Sequence, residues 1–531
     1  EEVLPDAGLI PILEEFNRDH AGTARARFAN PGDIAAAFRP AVEEAIAGGG
    51  PFPVQDLNPA MPGCYVTHIA LKQRTRAIAY RLCAAEAALA DAAWSAGAPA
   101  AMPAELTDAW RKVCFNQFHD AITGTHIDQA CDELVEMLDA AEAAADRHAP
   151  PARPAAEAPA DDAFAPVEDG LQTLALGPYE IAYDREGVRS ILVDGEDLFG
   201  RLAPFHKASR PPCIGELHLD TDFGDAWGQR IEPFTGIRHN VHLIPLGRYH
   251  ERVTSAGTAL RWHGVYTGPD PHVERLAWTT TLSLGEDGRL LVFRTDVDWD
   301  TRSRRLRVLT PVNSEDATAT YEVPYGFIER TYDEAKLDYS QWDSHTMEWP
   351  ALHWVHKEID EARGVALFNR GLPCCRWTPG RLDLSLLRSP EWGFCIVEPC
   401  NYEFWDIDGQ RDTGTHRFEY ALLPHTRPAP YGDLTRLGYA FNDAALQPPC
   451  SVEGDVVVTA WKPAEDGAGW VLRVQEAGGA GTDLALGFDR AVRATRCDLL
   501  ERPDGDPVEG ERVEAHLHRH QIATWRIERP A

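Results

Sequence analysis

The chain has no CxxC or HExxH metal-binding motif and no apolar run of membrane-spanning length. Its eleven cysteines are scattered, which disfavours a disulfide framework and a cysteine-based zinc site and predicts reduced thiols in a cytoplasmic protein. No signal peptide is recognisable. The first residue is Glu1 rather than Met, however, so a leader upstream stays open.

Basic residues are also scarce. The chain has 51 Lys and Arg against 83 Asp and Glu, which gives a formal net charge of −32. Such an acidic surface argues against nucleic acid and anionic membranes as partners, and it is compatible with a neutral sugar. The oligomeric state stays open, a homo-oligomer included.

The length of 531 residues and the 44% hydrophobic content predict several globular domains. Residues 1–49 read as helix, short strand (23–28) and helix, an α/β fragment. From residue 171 the apolar period changes to two, and residues 179–193 read as a β-hairpin. The predicted fold class is multidomain α+β. Its predicted segments are the end of an α/β domain (1–49), a three-helix bundle (50–148), a Pro/Ala linker (149–170), a large antiparallel β-sandwich (171–440) and a small terminal β-sandwich (441–531).

One turn within the predicted bundle contains candidate metal- and ligand-binding residues. Residues 116–125 read Asn-Gln-Phe-His-Asp-Ala-Ile-Thr-Gly-Thr and lie between two helical patterns, with Thr125 as the predicted N-cap of the second. An imidazole at His119 can bind a metal ion, and a carboxylate at Asp120 can bind a hydroxyl-rich ligand. On local chemistry alone, a capping or packing pair is the alternative.

This decapeptide resembles the signature of glycoside hydrolase family 38, the retaining α-mannosidases. Further segments resemble the family and follow its order: 63–76, 221–227, 298–299, 323–330, 364–369, 384–390 and 414–425. The resemblance spans nearly the whole chain. It implies a galactose-mutarotase-like large sandwich and a zinc-dependent enzyme that hydrolyses terminal α-mannosides of an oligosaccharide, with one zinc ion per active site.

Carried over residue by residue, the resemblance makes His119 a zinc ligand and Asp120 a substrate-binding residue. It also implies that the loop 225–227 reaches the sugar, with Asp225 accepting hydroxyl hydrogen bonds and Trp227 stacking on mannose. A tryptophan packed at a sandwich rim is the alternative. Lys72, like the other basic residues of 72–76, is expected on a solvated helix face, with phosphate binding as the alternative.

A retaining glycosidase needs two carboxylates about 5 Å apart. No His-x-Asp segment precedes residue 49 and no family nucleophile motif follows it, so no catalytic residue is expected in this chain. The nucleophile, the acid/base and the other zinc ligands would lie in an upstream α/β domain, and this portion alone would be inactive. A non-catalytic carbohydrate-binding or scaffold protein, and a hydrolase of other α-linked sugars, remain the alternatives.

Overall fold

The computed structural model describes residues 6, 8–47, 61–151, 159–200, 212–229, 244–337, 345–391, 393 and 408–529. The chain divides into two compact units, Glu1–Pro59 and Ala60–Ala531. The predicted glycine stop at 48–50 and the centre of the predicted linker, residues 152–158, lie outside the described residues.

The described residues of the first unit form two helices, α1 (Leu9–Asp19) and α2 (Pro31–Ala47). Pro31 opens α2, and Asn30 and Asp33 cap it reciprocally, with Oδ1 of Asn30 2.9 Å from the Asp33 nitrogen and Oδ2 of Asp33 3.1 Å from the Asn30 nitrogen. The strand predicted at 23–28 is wrong, because these residues, all described, form an irregular connection. The Asn17 amide bonds both backbone groups of Ala26, at 2.8 and 2.7 Å, in place of a neighbouring strand.

The second unit begins with a three-helix bundle, which confirms the predicted helical segment. Its helices are α3 (Ile69–Ala96), α4 (Ala104–Asn116) and α5 (Asp128–His148). Leu82, Leu106, Val113 and Leu138 meet in the bundle core with no exposed surface. None of the helices in the described part of the chain combines the length and the apolar character needed to cross a bilayer.

The predicted N-cap of α5 is wrong. Thr125 precedes the helix by three residues, and its Oγ1 lies 2.9 Å from Oγ1 of Thr123 instead of capping it. Ile127 is the extended residue before the first turn. Residues 117–127 therefore form a longer connection between α4 and α5 than the sequence suggests.

Antiparallel strands follow, as expected. In chain order the first thirteen are β1 (Ala165–Pro166), β2 (Gln172–Leu176), β3 (Tyr179–Asp184), β4 (Gly187–Val193), β5 (Glu196–Asp197), β6 (Glu216–Thr221), β7 (Ile244–Pro245), β8 (His250–Ser255), β9 (Ala259–Val265), β10 (Val273–Leu284), β11 (Leu291–Thr301), β12 (Arg304–Pro311) and β13 (Thr318–Val323). The others are β14 (Gly326–Thr331), β15 (Trp349–Pro350), β16 (Trp354–Glu358), β17 (Gly364–Asn369), β18 (Cys374–Thr378), β19 (Arg381–Ser389), β20 (Gly414–His425), β21 (Cys450–Glu453), β22 (Val456–Pro463), β23 (Trp470–Glu476), β24 (Thr482–Cys497), β25 (Val508–Leu517) and β26 (Ile522–Glu528).

In the part of the β region that the structure describes, three sheets share the main core. A ten-stranded sheet runs β1-β8-β9-β10-β11-β20-β17-β16-β13-β14, a six-stranded sheet runs β15-β18-β19-β12-β6-β7, and β2 to β5 form a four-stranded sheet. Burial alternates strictly along β11, so that Leu291, Phe293, Val297 and Trp299 enter the core while their neighbours are half-exposed. The predicted hairpin at 179–193 is confirmed as β3 and β4.

A smaller terminal sheet, β21-β24-β26-β23-β22 with β25 on β24, packs against the C-terminal half of α3. The indole of Trp94 meets those of Trp461 and Trp470 edge to face, with ring centroids 5.9 and 5.1 Å apart. Within the predicted β region the sequence missed one helix, α6 (Tyr431–Phe441), whose Leu434 packs on Trp354 and its neighbours.

Candidate active site

The turn after α4 presents His119 and Asp120 to solvent. Their side chains are 76% and 74% exposed, and His119 Nε2 lies 3.6 Å from Oδ2 of Asp120. The turn itself is ordered by its own backbone, since the nitrogens of Ala121 and Ile122 both donate to the Phe118 carbonyl. The imidazole and the carboxylate therefore project side by side from a shaped turn.

Lys72 holds this turn from beneath. Its ammonium donates to the carbonyl oxygens of Thr67 at 2.5 Å and Ile122 at 2.6 Å. Gly124, at φ +76°, packs against Thr67, because an added Cβ would lie 2.6 Å from the Thr67 oxygen. The predicted solvated position of Lys72 is thus wrong: the side chain is buried, and burial lowers its pKa to about 8.

The predicted sugar-binding loop at 225–227 lies within residues 222–228, and Asp225 orders it. Oδ1 of this buried carboxylate accepts hydrogen bonds from the backbone nitrogens of Trp227 at 2.9 Å and Gly228 at 2.8 Å. Trp227 is half-buried. The carboxylate has a role within the loop, and its contact with sugar stays a prediction.

This loop is fastened to the segment that precedes α3. The backbone nitrogen of Gly63 donates to the Trp227 carbonyl at 2.8 Å, and Thr67 Oγ1 donates to the Ala226 carbonyl at 3.1 Å. Gly63 must be glycine, since a Cβ there would lie 2.6 Å from the Trp227 carbonyl carbon. The His119 turn and the Trp227 loop thus contact one segment, residues 63–68.

A buried ion pair fixes the loop from the sheet side. Arg388, at the end of β19, donates to both carboxylate oxygens of Asp222 at 2.9 Å, and to the Gly228 carbonyl at 2.9 Å. It also reaches Thr67 Oγ1 at 3.0 Å. The bidentate geometry makes the base of the loop rigid.

Sequence reasoning missed a second group of side chains beside the turn. His68, His126 and Cys131 bring one ligand-type atom each within 4.8 Å of the others. Burial lowers the pKa of His68 to about 3 and raises the pKa of Cys131 to about 11. No regular spacing relates these residues, so the sequence offered no signal for the group.

The described residues at the His119 turn supply one nitrogen for a zinc ion, whereas catalytic zinc sites take three protein ligands. Within the described ranges, three ligand-type side chains come together at one place, which is formed by His68, His126 and Cys131. His119 is not part of this group. An exposed imidazole fits the role of one ligand in a site completed by other residues.

Three segments of the chain match models of known protein families. The alpha mannosidase middle domain matches residues 61–149, which include the bundle and the His119 turn. The glycosyl hydrolases family 38 C-terminal domain matches residues 263–395, and the C-terminal beta sandwich domain of that family matches residues 455–525. The chain belongs to glycosyl hydrolase family 38.

Relatives of this family 38 chain include alpha-mannosidase 2C1 of Mus musculus, 25% identical over 83% of the chain and 47% of the relative. Alpha-mannosidase 2C1 of Homo sapiens is 30% identical over 40% of the chain and 20% of the relative. The chain therefore spans less than half the length of either relative. An alpha-mannosidase from Enterococcus faecalis V583 has the same fold, with a TM-score of 0.67 at 14% identity, over 92% of this chain and 71% of that one.

Proposed function

We propose that the chain is the middle and C-terminal part of a zinc-dependent α-mannosidase that hydrolyses terminal α-mannosides with retention. The observation that carries the proposal is the exposed His119–Asp120 pair, held on an ordered turn in the segment that matches the alpha mannosidase middle domain. Neither side chain is consumed by packing, so both are accessible to a metal ion and a sugar.

The two side chains have different roles in this proposal. The imidazole of His119 donates a nitrogen to zinc, and the carboxylate of Asp120 accepts hydrogen bonds from sugar hydroxyls. A zinc ion at such a site holds sugar hydroxyls and favours the flattened, oxocarbenium-like ring. Lys72 positions both residues, because it binds the Ile122 carbonyl on the same turn.

Trp227 supplies the stacking surface for the sugar ring. The indole is half-buried, and its backbone is fixed through Gly63 and Asp225. A fixed aromatic platform loses little conformational entropy when a sugar binds. In this proposal Asp225 both orders the loop and accepts hydrogen bonds from sugar hydroxyls.

The proposal assigns the nucleophile, the acid/base and the remaining zinc ligands to a part of the full enzyme outside these residues. Two carboxylates about 5 Å apart are needed for retention, and the carboxylates assigned here, Asp120 and Asp225, bind the sugar instead. We therefore expect this portion by itself to be inactive.

We further propose a neutral oligosaccharide with terminal α-mannose as the substrate and the cytoplasm as the location. The nine described cysteines are free thiols, which supports a reducing compartment. The net charge of −32 supports an uncharged substrate rather than nucleic acid.

The test uses the full-length enzyme, with nitrophenyl glycosides as substrates and metal analysis of the purified protein. We expect His119→Ala to lose one equivalent of zinc together with α-mannosidase activity, and Asp120→Asn to keep zinc and lose at least about tenfold in kcat/KM. His516→Ala and Asp139→Asn are matched controls, since both residues are exposed and form surface ion pairs. Unchanged zinc and activity in His119→Ala would contradict the assignment, and sugar binding without hydrolysis would favour a non-catalytic module.

A further inference from the structure

A second cluster of metal-ligand side chains lies where α3 and α5 begin. His68 immediately precedes α3, His126 precedes α5 by two residues, and Cys131 is in the first turn of α5. His68 Nδ1 lies 3.7 Å from the Cys131 sulfur. Nitrogen and sulfur ligands of one tetrahedral zinc ion are about 3.5 Å apart, given bonds of about 2.0 and 2.3 Å.

The imidazoles have nitrogens without partners. Among the described residues, neither His68 Nε2 nor His126 Nε2 has a hydrogen-bond partner, although both atoms are buried. His68 is only 6% exposed as a whole, and its ring stacks on that of His126 with centroids 5.1 Å apart. An unmet buried polar group costs about 1–3 kcal/mol, so two such nitrogens on stacked imidazoles indicate an absent partner.

The orientation of His126 suits coordination. Its Nδ1 lies 3.4 Å from the Ile127 carbonyl oxygen, which leaves Nε2 as the nitrogen with a free lone pair. Ligating histidines usually bind a carbonyl or carboxylate through the second nitrogen, and this contact fixes the tautomer.

The backbone at His68 is held in an unusual conformation. His68 has φ +51° and ψ +56°, a left-handed conformation that is uncommon for a buried residue other than glycine. Oδ2 of Asp412 accepts a hydrogen bond from the Ile69 nitrogen at 3.1 Å, and its Oδ1 lies 3.9 Å from His68 Nδ1. Such a conformation persists only where surrounding contacts impose it, and it occurs often at ligand sites.

We propose that His68, His126 and Cys131 bind a zinc-class divalent cation, with the Asp412 carboxylate beside them. Nitrogen and sulfur donors select zinc-type ions over calcium and magnesium. On binding, the Cys131 thiol releases its proton to solvent. The thiolate then supplies negative charge to the cation, and Oδ1 of Asp412 lies 3.9 Å from His68 Nδ1.

The bound ion would join three parts of the fold. It fastens the starts of α3 and α5 to each other and to residues 408–412, where the Gln410 amide donates to the His126 carbonyl at 2.9 Å and the Gly409 nitrogen donates to Asp128. The proposal does not depend on glycosidase activity, and the 531-residue chain is sufficient to test it.

The test titrates the metal-free chain with Co²⁺ and Zn²⁺. The wild type is expected to bind about one equivalent and to show a thiolate-to-cobalt charge-transfer absorption. Cys131→Ser should lose this absorption and weaken Zn²⁺ binding at least about tenfold. Cys114→Ser, which alters an exposed free thiol of α4, is the control and should behave as wild type.

Histidine variants separate this site from the His119 turn. His68→Asn keeps a residue that tolerates the left-handed conformation, and both it and His126→Gln should lose the cobalt absorption while circular dichroism shows a folded chain. His119→Ala should retain the absorption. A folded wild type without the absorption, an unchanged signal in Cys131→Ser, or its loss in His119→Ala would overturn the proposal.

Discussion

Lys72 Nζ lies 2.6 Å from the carbonyl oxygen of Ile122, although the two residues are 50 positions apart in the sequence. The same ammonium binds the Thr67 carbonyl at 2.5 Å. One buried cation therefore joins the start of the bundle to the turn that carries His119. The position of the candidate zinc ligand depends on a residue that has no contact with the ligand itself.

Replacing Lys72 should test this dependence. Lys72→Met keeps the aliphatic stem and leaves the Thr67 and Ile122 carbonyls without their donor, so we expect a loss of about 1–3 kcal/mol in the free energy of unfolding. Hydrogen exchange should accelerate at residues 117–125. Arg74→Met is the control, because its ion pairs with Asp139 and Glu142 are largely exposed and should contribute less than about 1 kcal/mol.

Loss of the ion pair at the base of the Trp227 loop should lower the free energy of unfolding by more than loss of the Lys72 hydrogen bonds. Arg388→Met removes two bonds to the buried Asp222 carboxylate and leaves that charge undercompensated, so we expect about 3 kcal/mol of destabilisation in urea unfolding. Arg417→Met removes an ion pair with Asp296 whose arginine is 68% exposed, and it should change stability by less than about 1 kcal/mol. Equal effects of the two substitutions would show that the buried pair does not fix the loop.

The contact between His356 and His425 predicts that the folded chain loses stability at acidic pH. His356 Nε2 lies 3.0 Å from Nε2 of His425, and burial, with charges on His425 and Lys357, lowers the pKa of His356 to about 3. The unfolded chain takes up this proton near pH 6.5, before the folded chain does. Stability is therefore present above about pH 6.5 and is lost as the pH falls towards 3, by up to about 1.4 kcal/mol per pH unit.

His356→Gln isolates this contribution. Its free energy of unfolding should fall less than that of the wild type between pH 7 and pH 4.5, because one titrating group has been removed. His345→Gln changes an exposed histidine and should follow the wild type. Parallel pH profiles for wild type and His356→Gln would contradict the assignment.

Substitution of Trp227 tests its role as a sugar platform in the full-length enzyme. Trp227→Ala should raise KM for α-mannosides on the order of tenfold, equivalent to about 1.4 kcal/mol of lost binding. Trp227→Phe keeps an aromatic face and should recover most of that loss. If both variants match the wild type, the indole packs at the sandwich rim without touching substrate.

The broad architecture follows from local patterns in the sequence. Helical spacing predicts the bundle, and strict alternation in segments such as Leu291–Thr301 predicts the sheets, because burial on one face has a clear period. His119 and Asp120 could be proposed as site residues because their motif is contiguous in the sequence, and their roles stay a prediction. The prediction of a short strand at 23–28 is wrong, because a strand needs a neighbouring strand to pair with, and the sequence does not specify one.

Tertiary contacts account for what the sequence did not predict. Lysine is usually exposed to solvent, so the sequence does not predict that Lys72 is buried. Its burial depends on the carbonyls of Thr67 and Ile122, which come together only in the folded bundle. His68 and Cys131 are 63 positions apart, and their approach depends on a left-handed backbone that no local pattern indicates. Such convergence is a property of packing rather than of periodicity.

Thr67 uses its two oxygens for different neighbours: the carbonyl accepts from Lys72 and the hydroxyl donates to the loop that carries Trp227. The loop of Trp227 and the turn of His119 are thus attached to the same residue. If the proposed sugar site is correct, a substitution that reshapes the loop should also shift His119. Changes in substrate preference and in metal retention should therefore arise together.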